Sequence, residues 1–123
     1  MAECLLVGLG GGIGTMGRFI VGKISLGDIP YPINTFIVNV VGAFLIGLFY
    51  AVGARLGVDD SRIILFLTTG LCGGFTTMST FSREMLTMIE NGRVGVAVLY
   101  CMVTVVICVV ATWLGACAGK IDV

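Results

Sequence analysis

Thr68–Ser82, TTGLCGGFTTMSTFS, lies inside an otherwise apolar run and carries three glycines (Gly70, Gly73, Gly74) and five threonines. In hydrocarbon every unpaired backbone N–H or C=O costs several kcal/mol, so non-helical backbone survives there only under cover of protein or a water-filled cavity. The glycines loosen the helix, and the hydroxyls of Thr76, Thr77, Ser79 and Thr80 re-satisfy the freed groups or hold an ion. The stretch predicts a helix broken near the membrane midplane over 73–77, where transport proteins place their sites.

The whole chain supports a membrane setting. Of its 123 residues 58% are hydrophobic and 11% charged, with a mean hydropathy of +1.12, far from a soluble domain. Seven Lys+Arg balance seven Asp+Glu, and without a basic tract nucleic acid is not an expected partner. The five cysteines (Cys4, Cys72, Cys101, Cys108, Cys117) form no CxxC pair and histidine is absent, so neither a disulfide framework nor a zinc site fits. The N-terminus, MAECLL, lacks a basic n-region and a small-residue cleavage site, so the first apolar run is expected to stay in the mature protein.

Outward from the broken stretch, the chain divides into four spans in a single all-α transmembrane domain, at about 4–22, 33–54, 63–90 and 94–118, each near the ~20 residues that a crossing requires. KISLGDIPYP (23–32), with interfacial Tyr31, links the first two. RLGVDDSR (55–62) links the next two, with Asp60 or Ser61 placed to cap the third helix. Asn91-Gly92 turns the chain into the fourth. In the first span Gly8/Gly12 and Gly10/Gly14 are GxxxG pairs that allow close helix approach. Gly12, Gly14 and Gly17 also spell GxGxxG, but no βαβ unit surrounds them, as a dinucleotide fingerprint needs.

Polar residues within the spans carry the functional signal. Arg18 either snorkels to the interface or lines an anion-attracting vestibule. Asn39, with Asn34 nearer the start of its span, either bonds between helices or donates its NH₂ to a desolvated anion. Arg83 and Glu84 sit at the interface, or Glu84 faces a polar interior. Tyr100, Thr104, Cys108 and Thr112 recur every four residues, which favours a polar track over hydroxyls that merely bond their own helix. An even span count puts both termini and the 55–62 loop on one side, with Arg55, Arg62 and Lys120. Lys23 and Arg93 fall on the other, with Arg18 and Arg83 nearby, so the charge bias is too small to fix an orientation. Such a chain inserts both ways, and two opposed copies form an antiparallel dimer with the symmetry of an inverted repeat.

GGGIGTMGRF, NTFIVNVVGAFLIG and above all TTGLCGGFTTMSTFSRE resemble the Fluc family of small fluoride channels over essentially the whole chain. The resemblance implies a dual-topology dimer in the cell's inner (plasma) membrane, with two pores that let fluoride leave the cytoplasm passively. It also implies a structural sodium ion at the dimer centre, held by the backbone carbonyls of Gly73 and Thr76 from each copy. By position Phe81 matches the second of two pore phenylalanines, Asn39 the pore asparagine and Arg18 the vestibule arginine. Tyr100, Thr104 and Cys108 match the fourth-span track, with Glu84 near it, and Ser79 and Thr80 lie in the same pore segment. Met78 stands where the first pore phenylalanine is usual and Cys108 where a serine is usual. Because some members of the family pair non-identical subunits, the partner is either a second copy or a homologous chain.

Three rivals remain at this level. A four-span proton-coupled drug exporter needs a carboxylate in its first span, where only Glu3 stands, at the edge. An intramembrane enzyme needs a base or a paired arrangement that the spans lack. A purely structural subunit is separated from a channel only by measuring flux.

Overall fold

Charge-free apolar runs become helices in a membrane because a helix satisfies its own backbone hydrogen bonds. A computed structural model of the chain describes residues 1–23, 33–58 and 61–120. The linker residues 24–32, with Tyr31, and the alternative cap Asp60 lie outside them. The described residues form α1 (Ala2–Lys23), α2 (Ile33–Arg55), α3 (Arg62–Leu65), a π-helical segment (Phe66–Cys72), α4 (Gly73–Phe75), α5 (Met78–Glu90) and α6 (Val94–Lys120). Four continuous stretches, 2–23, 33–55, 62–90 and 94–120, are long and apolar enough to cross a membrane.

Ser61 opens the third stretch: its backbone is extended and its Oγ accepts from the Ile64 N–H at 3.3 Å, satisfying one of the orphan donors of a helix start. The wider π-helical turns follow where the buried Thr68 hydroxyl donates to the Ile64 carbonyl at 2.7 Å. Such insertions into a helix ladder often accompany functional sites. Gly73–Phe75 is helical, and between it and α5 only Thr76 (φ −84°, ψ 160°) and Thr77 (φ −149°, ψ 119°) are extended. The two β-branched residues, rather than the glycines before them, leave the helical region. Extended backbone suits a branched Cβ well.

The glycines act instead through close approach. A Cβ on Gly10 would lie 2.7 Å from the Phe66 carbonyl oxygen and one on Gly14 2.8 Å from the Phe75 nitrogen, while Gly8 and Gly12 have nothing within 4 Å. Thus Gly10/Gly14 is the pair that α1 uses to seat the third stretch. Gly47 and Gly115 do the same between α2 and α6, each lying against the other helix's backbone at Thr112 and Phe44. Contacts rise together along both pairs: Val7 meets Gly70 and Gly14 meets Phe75, while Phe44 meets Gly115 and Ala51 meets Gly119. Therefore α1 runs parallel to the third stretch and α2 parallel to α6, as alternate crossings require. Gly115→Leu should push α2 from α6, costing at least about 1–3 kcal/mol as overpacking does. Thermal denaturation in detergent should show a lowered midpoint for Gly115→Leu and an unchanged one for Gly12→Ala.

Candidate functional site

Asn39, about a third of the way along α2, stands opposite the extended pair. Its Nδ2 donates to the Thr77 carbonyl at 3.2 Å, and the Thr77 N–H donates to its Oδ1 at 2.9 Å. The side-chain amide pairs with the main chain as a neighbouring strand would, which also fixes which end is oxygen. A primary amide has two N–H donors, so one remains beyond this clamp. Thr77 in turn caps α5, its Oγ1 accepting from the Thr80 N–H at 3.3 Å and donating to Thr80 Oγ1 at 3.1 Å.

These bonds redirect donors. In a continued helix the N–H groups of Thr77 and Thr80 would return to the carbonyls of Gly73 and Thr76. Here they go to Asn39 and to the Thr77 hydroxyl, and the Thr76 N–H and Oγ1 both bond the Cys72 carbonyl, each at 3.0 Å. Gly73 and Thr76 thereby lose their helical partners. The Gly74 carbonyl between them is served from α1, by Arg18 Nε at 3.2 Å and Thr15 Oγ1 at 3.5 Å. Arg18 is half-buried and turns toward this backbone rather than only along the helix surface.

A second polar group lies farther along α5. The Glu84 carboxylate accepts from Thr35 Oγ1 at 2.8 Å and from the Tyr100 hydroxyl at 3.3 Å. Buried Phe81 packs on Tyr100 with ring centroids 5.0 Å apart and planes tilted by 43°, a geometry that ring quadrupoles favour. Next on α6 comes Thr104, whose residue is only 6% exposed and whose Oγ1 has no hydrogen-bond partner among the described residues. Half-buried Cys108 follows one turn on. Each of three helices supplies residues at one-turn spacing: Thr35 and Asn39 from α2, Thr77, Phe81 and Glu84 from α5, Tyr100, Thr104 and Cys108 from α6. Direct bonds join Asn39 to Thr77, and Glu84 to Thr35 and Tyr100, on which Phe81 packs, and helical spacing sets these groups along one line, with Thr104 and Cys108 continuing the Tyr100 face of α6.

Not every residue singled out in the sequence joins that line. Met78 is 73% exposed, and Gly73 and Ser79 are exposed as well. Thr112 donates to the Cys108 carbonyl at 3.0 Å, so its hydroxyl serves its own helix. Thr35 and Thr15 were not among the candidates. For Thr35 a signal existed, since it lies four residues before Asn39 and so on the same side of α2. Thr15 had none, because a lone hydroxyl in a glycine-rich span looks like packing.

Comparison with known proteins agrees with the whole-chain pattern. A family model described as "CrcB-like protein, Camphor Resistance (CrcB)" matches residues 5–116. Among similar proteins, one from Methylobacillus flagellatus is 39% identical over 120 residues, covering 94% of this chain and 92% of its own. One from Phocaeicola vulgatus is 41% identical over 118 residues, covering 94% and 96%. One from Methylobacterium radiotolerans is 41% identical over 117 residues, covering 91% and 80%. All three are named fluoride-specific ion channel FluC. With a family model spanning most of its length and full-length relatives well above 30% identity, this chain belongs to the CrcB-like family.

Proposed function

We propose that the chain is a fluoride-specific ion channel of the plasma membrane, through which fluoride leaves the cytoplasm passively. The observation that carries this beyond the relatives' names is Thr104: a buried hydroxyl without a partner calls for a reason, and a small dehydrated anion supplies the acceptor. Fluoride holds its water strongly, so a pore must replace that water with donors and positive ring edges. The donors at hand are the second Asn39 N–H and the Thr104 hydroxyl, with the Thr80 hydroxyl and the weaker Cys108 thiol nearby, and the edge of Phe81 beside them. Glu84 holds the Tyr100 and Thr35 hydroxyls in place, and Arg18, close to the break through Gly74, raises the local concentration of anions.

The third stretch, interrupted near the midplane, is the centre of an antiparallel dual-topology dimer in this reading. Met78, Ser79 and Gly73 are exposed on one chain, which suits a surface completed by a second. The redirected donors fit a bound cation at Gly73 and Thr76: carbonyls without helix partners are the groups that unwound membrane helices offer to sodium, and two copies would bring four. A sodium ion there would supply fixed positive charge and tie the two breaks together.

Liposomes loaded with fluoride and carrying the purified chain alone provide the test, read with a fluoride electrode. Wild type should empty them faster than protein-free liposomes. Thr104→Val keeps the shape and removes the donor, so a loss of about 1–3 kcal/mol should slow efflux roughly tenfold to a hundredfold. Folded wild-type protein without efflux would sink the single-chain channel, and Thr104→Val efflux equal to wild type would remove Thr104 from the pathway.

A further inference from the structure

Away from the polar line, α2 and α6 flank a shallow, open groove of about 440 Å³ that runs toward their common C-terminal end, lined by Ile46, Gly47, Tyr50, Thr112, Ala116 and Lys120. Its origin is the close helix contact. Gly47, Gly115 and Gly119 bring the two backbones together, and the side chains flanking that seam diverge to leave a channel. The lining of the groove is apolar, and the Thr112 hydroxyl on its wall is bonded to the Cys108 carbonyl. Water has too few partners there to be held. The rim is different: Lys120 ends α6 and is exposed, and Tyr50, 51% exposed, lies near the end of α2.

We propose that this groove binds one phospholipid with an anionic headgroup, its acyl chain along Ile46 and Ala116 and its phosphate at Lys120 and Tyr50. The chain belongs in a bilayer, so hydrocarbon tails surround the groove at all times. A lysine and a tyrosine at a helix end stand at headgroup level, and basic residues beside clefts between membrane helices select negatively charged lipids. The assignment depends on this charged rim over an apolar channel and is independent of the ion that the protein conducts.

Native mass spectrometry of the full chain, equilibrated with equal amounts of phosphatidylglycerol and phosphatidylcholine of identical tails, tests it. Wild type should retain one phosphatidylglycerol per chain, favoured about fivefold as expected for one lysine near the membrane surface. Lys120→Gln should level the two lipids. Ala116→Leu, or Ile46→Trp from the opposite wall should the first fail to fold, should displace both by filling the channel. The proposal fails if wild type releases both lipids alike, if its preference survives Lys120→Gln, or if a filled groove still retains lipid. Efficient disulfide formation between two copies of Ala116→Cys would also overturn it, since a second chain would then cover the groove.

Discussion

Asn39→Asp should stop fluoride efflux almost completely while the protein stays in the membrane. The carboxylate keeps an acceptor for the Thr77 N–H but loses the donor to the Thr77 carbonyl, leaving two oxygens facing each other at a cost of about 1–3 kcal/mol. It also sets a negative charge beside a passing anion. At 4 Å and an effective dielectric constant near 20, two unit charges repel by about 4 kcal/mol, which amounts to roughly a thousandfold slower passage. Electrode-monitored efflux measures the second effect and thermal denaturation in detergent the first. A destabilised variant that conducts as wild type would show that Asn39 serves the fold alone, by holding Thr77.

The other large effect concerns orientation. Parallel pairing of α1 with the third stretch and of α2 with α6 puts Arg55, Arg62 and Lys120 at one end of the bundle and Lys23 and Arg93 at the other. Three added lysines in the 55–62 loop should hold that end in the cytoplasm. If the working unit is the proposed antiparallel pair, fluoride efflux from cells falls to that of cells without the channel. It returns when a copy with lysines added after Gly92 is expressed alongside. Reporters fused to the C-terminus should give signal on both sides for wild type and on one for each locked variant. Full efflux from a single locked copy would mean that one orientation suffices.

Four helices fit to cross a membrane were legible because uncharged runs of that length have few other uses. So was the value of glycine spacing in α1, although spacing alone did not distinguish Gly10/Gly14, which pack, from Gly8/Gly12, which do not. That choice depends on where α1 meets Phe66 and Leu71, a tertiary fact. The sequence also drew attention to the glycines of GLCGG, yet the extended residues are Thr76 and Thr77. Local flexibility yielded to a specific bond: Asn39, from 38 residues away in sequence, binds the Thr77 N–H that a helix would have used. For the same reason both uses of Asn39 remained open in the sequence, since an amide's type does not reveal its partner. For Thr35 the spacing from Asn39 was there to be read, but its partner Glu84 is fixed only by the tertiary fold.

The pairing of α2 with α6 also shapes how the chain is made. About 40 residues separate Arg55 from Val94, so a ribosome adding about 5–20 residues per second completes α2 several seconds before α6 begins to emerge. During that interval the Gly47 face of α2 and its Asn39 side chain lie in the bilayer, or beside the insertion machinery, without their final neighbours. The third stretch relieves Asn39 first, through Thr77, and α6 later closes over Gly47. Stop codons placed after Glu90 should accordingly yield a chain that inserts but is degraded quickly, and pulse–chase labelling would follow it. A helix made seconds later decides whether the earlier ones persist.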